Sequence, residues 1–288
     1  MDTNKFVNRH VGISAEDIPS MLQAIGVKSV DELIDQTIPS DIRLKEPLNL
    51  PEPMTEREFA EHIAELASKN EVFTSYIGMG WYDTVCPAPI QRNVFENPVW
   101  YTSYTPYQAE IRQGNLQAIF EYQTMICELT GMDASNASVY DGATAAAEAA
   151  AMCRDRKRRV TLISAAAHPD TINTVRTYCY GTGDELRVVP VKDGRTDPEA
   201  LRQMLAGGDV SGVYIQQPNF FGQLEEAEAL GEIIHQGGAL YILGVNPIAA
   251  AILKTPRDCG ADVAVGEGQP LGLSLIHISE PTRQAEIS

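Results

Sequence analysis

Long hydrophobic runs, an apolar leader, paired cysteines and a surplus of basic charge are all missing from this 288-residue sequence. No stretch approaches the ~20 apolar residues that cross a bilayer, which excludes an integral membrane protein spanning by helices. The first ten residues, Met1 to His10, hold no apolar signal core and predict a chain that is not secreted. Five cysteines (Cys86, Cys127, Cys153, Cys179, Cys259) lie at least 26 residues apart with no C-x-x-C pair. That spacing argues against a disulfide framework and a zinc knuckle, and fits a reducing, cytoplasmic compartment. The five histidines are as scattered, with no H-E-x-x-H, so no metal site is expected. Lysine and arginine number 22 against 39 aspartates and glutamates, a net charge of -17 that disfavours a nucleic-acid-binding surface. Walker A loops and G-x-S-x-G elbows are absent. Gly266-Glu-Gly268 is no dinucleotide fingerprint, because Leu271 stands where a third glycine belongs.

What is present divides along the chain. The N-terminal part reads as short helices. Ser14 is a candidate cap for a helix with Ile18, Met21, Leu22 and Ile25 on one face, ending at Gly26. Ser29 with Glu32 and Thr55 with Glu58 form two capping boxes, the second opening a helix that carries Phe59, Ile63 and Leu66 on one side. None of these helices can bury its stripe alone, so residues 1–73 are expected to be a helical arm. Residues 74–106 are rich in glycine, proline and aromatics and have almost no periodicity. Tyr101, Tyr104 and Tyr107 suit a pocket wall or a subunit contact, or merely fill gaps in a loop. Thr105-Pro106-Tyr107-Gln108 is a helix start, for a helix with Leu116, Ile119, Phe120 and Ile126 on one face and a stop near Gly131. With the aromatic segment, this helix makes a second region, 74–135.

From Asp141 a helix rich in alanine runs to about Cys153. Apolar runs then alternate with helical stretches. Val160–Ile163, Leu186–Val191, Gly212–Ile215, Ala239–Leu243 and Asp262–Val265 read as buried strands. Helices are expected near 170–181, 197–206, 226–236 and, briefly, 248–253. This alternation predicts an α/β domain with a mainly parallel sheet over 136–272. Asp141-Gly-Ala-Thr144 is either an anion site at a helix start or an ordinary turn and cap. His168 either faces a ligand or is a hydrogen-bonded structural residue. Cys86 has no base visible nearby in sequence. Residues alone give an architecture and no reaction.

Three runs carry a resemblance: Tyr101–Gly114, Phe120–Gly131 and Asn136–Ala145. With Asn8-Arg-His-Val-Gly12, Gln217-Pro-Asn-Phe220 and Gly260–Gln269, they are similar to the P-protein family of the glycine cleavage system, glycine dehydrogenase (decarboxylating). Phe120-Glu-Tyr-Gln and Tyr140-Asp-Gly-Ala-Thr look most like the N-terminal half, which some organisms carry as a separate subunit 1. The resemblance implies a pyridoxal-phosphate-dependent transferase-like (aspartate aminotransferase-like) fold. It also implies glycine as substrate, pyridoxal phosphate as cofactor, and lipoylated H-protein as acceptor of the aminomethyl group. In cofactor-binding members a lysine follows the strand that begins Gly-Ala-Asp, and an acid ends the strand before it. An ungapped match puts Pro270 at the lysine and Leu243 at the acid, and His168 near the histidine that stacks on the ring. The chain therefore looks like a half with no catalytic or cofactor-binding residues of its own, acting with a cofactor-bearing subunit 2. Tyr104, Tyr107 and Gln108 are the expected contributors to that partner's active site. The alternative is a non-catalytic scaffold that binds a partner without shaping its site. A third reading, an independent enzyme using Lys254, fits poorly because Lys254 precedes the expected strand.

Leu273–Ser288 looks like an in-frame translation of a sequencing-library adapter. On that reading the α/β domain is incomplete, and the fragment is expected to be inactive, with an unpaired sheet edge and a tendency to aggregate.

Overall fold

The computed structural model describes residues 6–10, 12–78, 86–98, 110, 113–137, 139–271 and 286–287. The chain divides into two units, Met1–Tyr76 and Ile77–Ser288.

In the first unit, helices span Val7–His10, Ile18–Ile25, Val30–Thr37 and Glu56–Ser68. The Thr55/Glu58 capping box is complete. At Ser29 only half of the box forms: Ser29 accepts from the Glu32 N–H, but the Glu32 carboxylate reaches the Lys28 N–H instead. Ser14 is not the cap expected of it. Asp17 occupies that position, and the Ser14 N–H and hydroxyl both donate to its carboxylate at 2.8 and 2.7 Å. Those two bonds hold the Asp17 carboxyl below its ordinary pKa. The helix ends, as expected, on left-handed Gly26.

The second unit is a doubly wound sheet. β1 (Val160–Ser164), β2 (Glu185–Val189), β5 (Val210–Gln217), β6 (Leu240–Val245) and β7 (Val263–Glu267) run parallel in the order β2-β1-β5-β6-β7. β8 (Glu286–Ile287) pairs antiparallel with the end of β7, so the edge there is not wholly bare. The run Leu186–Val191 is not one strand. Pro190 lacks the N–H a ladder needs, so β2 stops at Val189. Val191–Lys192 (β3) then pairs with Arg195–Thr196 (β4) around Asp193-Gly194, both at positive φ as a two-residue hairpin turn requires.

Alternation along the strands divides the core between two faces. Ile163, Tyr214, Ile242 and Val265 pack with the helices Gly142–Cys153 and Pro169–Thr182. Leu162, Val213, Ile215, Tyr241 and Leu243 pack with Pro198–Leu205 and Ala227–Gln236. Ile126, on the helix Gln113–Thr130, covers Ala264 beside the second face. Phe120 of that helix, expected on its apolar face, is exposed. Five alanines of Gly142–Cys153 are buried, and their small side chains bring its backbone close to the sheet. At Gly212 an added Cβ would lie 2.9 Å from the Cys153 Cβ.

Candidate functional site

Open parallel sheets bind ligands outside the carboxyl ends of their strands, where the strand order reverses. This chain leaves β1 for β2 on one side and later places β5 on the other. The place to look is therefore the exits of β1 and β5, with the exits of β6 and β7 beside them.

His168 leaves β1 and caps the helix Pro169–Thr182, its Nδ1 accepting from the Asp170 N–H at 3.1 Å. Its own N–H donates to Gln216 Oε1 at 2.8 Å, and its ring meets Phe220 edge-on at 5.2 Å. The Phe220 N–H donates to the Ala166 carbonyl at 2.8 Å, which fastens the two loops across the strand reversal. Between them, Gln217–Pro218 is a cis peptide.

Beyond it lies a polar cluster that sequence reasoning missed. Buried Asn219 donates to the Gly194 carbonyl and to Glu225 Oε1, both at 2.9 Å, and accepts from the Phe221 and Gln223 N–H groups. Buried Glu225 also accepts from the Thr196 N–H through both oxygens, at 3.2 and 3.1 Å. A carboxylate taken from water needs such donors. The one available signal was Asp193-Gly194, a hairpin cue that places Thr196 opposite the β5 exit.

At the β6 exit, Leu243 is fully buried on the apolar face that packs Ala227–Gln236. Gly244 passes over the ring of Tyr214; a Cβ there would lie 2.6 Å from Tyr214 Cζ and closer still to its hydroxyl. Burial, and then the charge of Glu267, push the Tyr214 hydroxyl well above its ordinary pKa, so it is neutral. Asn246 caps the short helix Pro247–Ala250, which replaces the longer helix expected to Leu253. That helix packs against the 3-10 turn Gln269–Leu271 holding half-buried Pro270.

At the β7 exit the helix start that read either as an anion site or as a turn and cap is met by carboxylates of the chain itself. The Gly142 N–H, first in its helix, donates to Glu267 Oε1 at 2.7 Å. Asp141 accepts from the Thr144 N–H at 2.6 Å, as a cap. Two of the four free donors of this helix start thus face carboxylates of the chain itself.

Pyridoxal phosphate needs an amine for its aldehyde, an acid for its ring nitrogen and donors for its phosphate. The described residues of this edge do not fit it: Pro270 and Leu243 are neither amine nor acid, and Glu267 already holds Gly142. Lys254 lies ahead of β7 and is exposed, its amine donating to Glu228. Tyr104, Tyr107 and Gln108 lie outside the described residues. Among the described residues, no group of three or more His, Cys, Asp or Glu is placed to hold a metal, and no helix is long and apolar enough to cross a membrane.

Comparison with known proteins gives the family. Residues 8–277 match the family model of the glycine cleavage system P-protein. Glycine dehydrogenase (decarboxylating) of Bacteroides thetaiotaomicron is 44% identical over 96% of this chain and 29% of its own length. Probable glycine dehydrogenase (decarboxylating) subunit 1 of Carboxydothermus hydrogenoformans is 46% identical over 90% of this chain and 59% of its own. The chain thus spans less than two thirds of these relatives. A crystal structure of glycine decarboxylase (P-protein) in inhibitor-bound form superposes with a TM-score of 0.82 at 37% identity, covering 97% of this chain and 62% of that one. Mouse CSAD superposes at 0.62 with 15% identity over 90% of this chain and 58% of its own, which shows a shared fold alone. The α/β unit has the pyridoxal-phosphate-dependent transferase-like fold.

Proposed function

This chain belongs to the glycine cleavage system P-protein family, and on that premise we propose that it acts as subunit 1 of a two-chain P-protein. Its partner, subunit 2, holds the pyridoxal phosphate, which when bound supplies the electron sink for loss of the glycine carboxylate. Together the two release CO2 and pass the aminomethyl group to the lipoyl arm of H-protein, in the cytoplasm. The observation that supports this reading is the β6–β7 edge, where Leu243 and Pro270 are neither acid nor amine and the Gly142 N–H is bound to Glu267. This chain's own part is to assemble with subunit 2 and close its active site through Tyr104, Tyr107 and Gln108.

The test begins by reading the source genome onward from Gly272 and purifying the complete chain, alone and with subunit 2. We expect cofactor absorbance and glycine–CO2 exchange only when subunit 2 is present. Exchange by the lone chain overturns the assignment. Tyr104→Ala and Tyr107→Ala lower turnover without preventing assembly; unchanged turnover would identify a scaffold instead.

A further inference from the structure

We propose that Glu267 is a tethered anion that occupies the start of helix Gly142–Cys153 and closes this sheet edge to phosphate groups. The inference rests on the reading that the cofactor belongs to the partner, and gives that reading a residue. Three observations carry it. The Glu267 Oε1 lies 2.7 Å from the Gly142 nitrogen, the distance of a charge-assisted bond from a helix N-terminus to a bound anion. The approach depends on glycine: a Cβ at Gly142 would stand 3.0 Å from both Cγ and Oε1 of Glu267. The clasp joins positions 125 residues apart, tying the end of the last parallel strand to the helix that packs across the sheet.

Charge and shape act together here. A phosphate approaching this helix start meets the Glu267 carboxylate on the first N–H and the Asp141 carboxylate on the third. Like charges at this range disfavour a further anion, and the side chain fills the space that a phosphate oxygen needs. The same carboxylate supplies what a bound anion would: a partner for an orphan donor and a negative charge at the positive end of the helix. The edge is therefore self-sufficient. It keeps its geometry with no ligand, which suits a subunit whose service is to hold a neighbour's site.

The test compares the complete chain, unmodified and as E267A, E267S and E267Q, by isothermal calorimetry with inorganic phosphate and by thermal unfolding in phosphate against chloride of equal ionic strength. E267A and E267S open the site and are expected to bind phosphate at least about tenfold more tightly than the unmodified chain. Phosphate should raise their melting temperature selectively. E267Q keeps an acceptor and its bulk, so it stays closed. The proposal is overturned if folded E267A or E267S gains no phosphate affinity, or if the unmodified chain binds phosphate as well as they do. Should both opened variants fail to fold, the unmodified chain decides. Its Gly142 amide resonance must be protected from exchange and unmoved by phosphate, and a shift with phosphate refutes the clasp. These readouts do not involve glycine turnover. Cofactor bound by the unmodified chain would defeat the functional reading, whereas a null result with E267A would defeat only this one.

Discussion

Helix Glu56–Ser68, of 13 residues, and helix Gly142–Cys153, of 12, both start on a side-chain cap, Thr55 and Asp141. The first carries a clear apolar stripe, yet buries none of its residues. The second carries no such stripe and buries six, five of them alanines. Pattern alone does not decide burial. Gly142–Cys153 is buried because a sheet lies against it and its side chains are small enough to allow close approach. Phe59, Ile63 and Leu66 are large and correctly spaced, but stay 57%, 45% and 44% exposed. Amphipathic helices draw most of their stability from the surface they cover. Within the N-terminal unit, what the described helices show is caps and local hydrogen bonds, and within the sheet unit it is a core.

The sharpest way to break this contrast is to truncate one apolar side chain in each unit. Ile242, at the centre of the sheet, is fully buried among the helix alanines and Val265. Ile242→Ala removes three methyl(ene) groups from a packed site and should lower stability by about 4 kcal/mol, read from the urea midpoint. Leu66→Ala should cost under about 0.5 kcal/mol in the same assay. Equal losses would mean that Leu66 is packed in solution and that the two helices are alike.

Gly244 gives the next largest effect. Tyr214 below it is buried and held by Ile242 and the helix alanines, so its ring has nowhere to turn. Gly244→Ala should destabilise the sheet unit by about 2–3 kcal/mol through overpacking. The double variant with Tyr214→Phe should recover part of that, because the hydroxyl is the atom nearest the new Cβ. If the single variant unfolds at the normal midpoint, the β6–β5 contact is looser than described.

The same contrast explains how much the sequence revealed. Every strand of the parallel sheet overlapped a short apolar run. The inner strands did so because they are covered on both faces and so are largely apolar. The edge strand β2, Glu185-Leu-Arg-Val-Val189, did so only through its apolar residues, since most of it is not buried. Most helix limits were legible from caps and from glycines such as Gly26 and Gly131. The errors were local competitions. Pro190 split an apolar run that composition had joined, and Asp17 took the capping position from Ser14. The candidate site was much less legible. Asp141-Gly-Ala-Thr144 read equally well as anion site or cap, and what decides is Glu267, far along the chain. The Asn219–Glu225–Thr196 cluster likewise depends on where a hairpin lands against β5. Spacing in sequence describes one element at a time, whereas these groups meet only after five strands have taken their order.

Acid pH offers the finest probe, since each unit has a carboxyl held below its ordinary pKa. Glu58 is lowered by the Thr55 N–H and then by the Thr55 hydroxyl, both in the capping box. Asp184 is pushed up by burial, but bonds from Thr182, Arg154 and Arg159 outweigh this and leave it lowered. A lowered carboxyl contributes stability above its ordinary pKa, about 4.3 for Glu and 3.9 for Asp, and loses it as pH falls through the lowered value. Glu58 can express that loss locally, because little else restrains its helix; Asp184 can express it only through the whole sheet unit. Far-UV circular dichroism should therefore show a small, noncooperative loss of helix beginning below about pH 4. E58Q, which is neutral at every pH, should start with less helix and show a smaller phase, the remainder belonging to Asp17 at the start of Ile18–Ile25. An unchanged acid phase in the double variant E58Q/D17N would place the loss elsewhere in the chain, and the claim that caps hold the N-terminal unit would go with it.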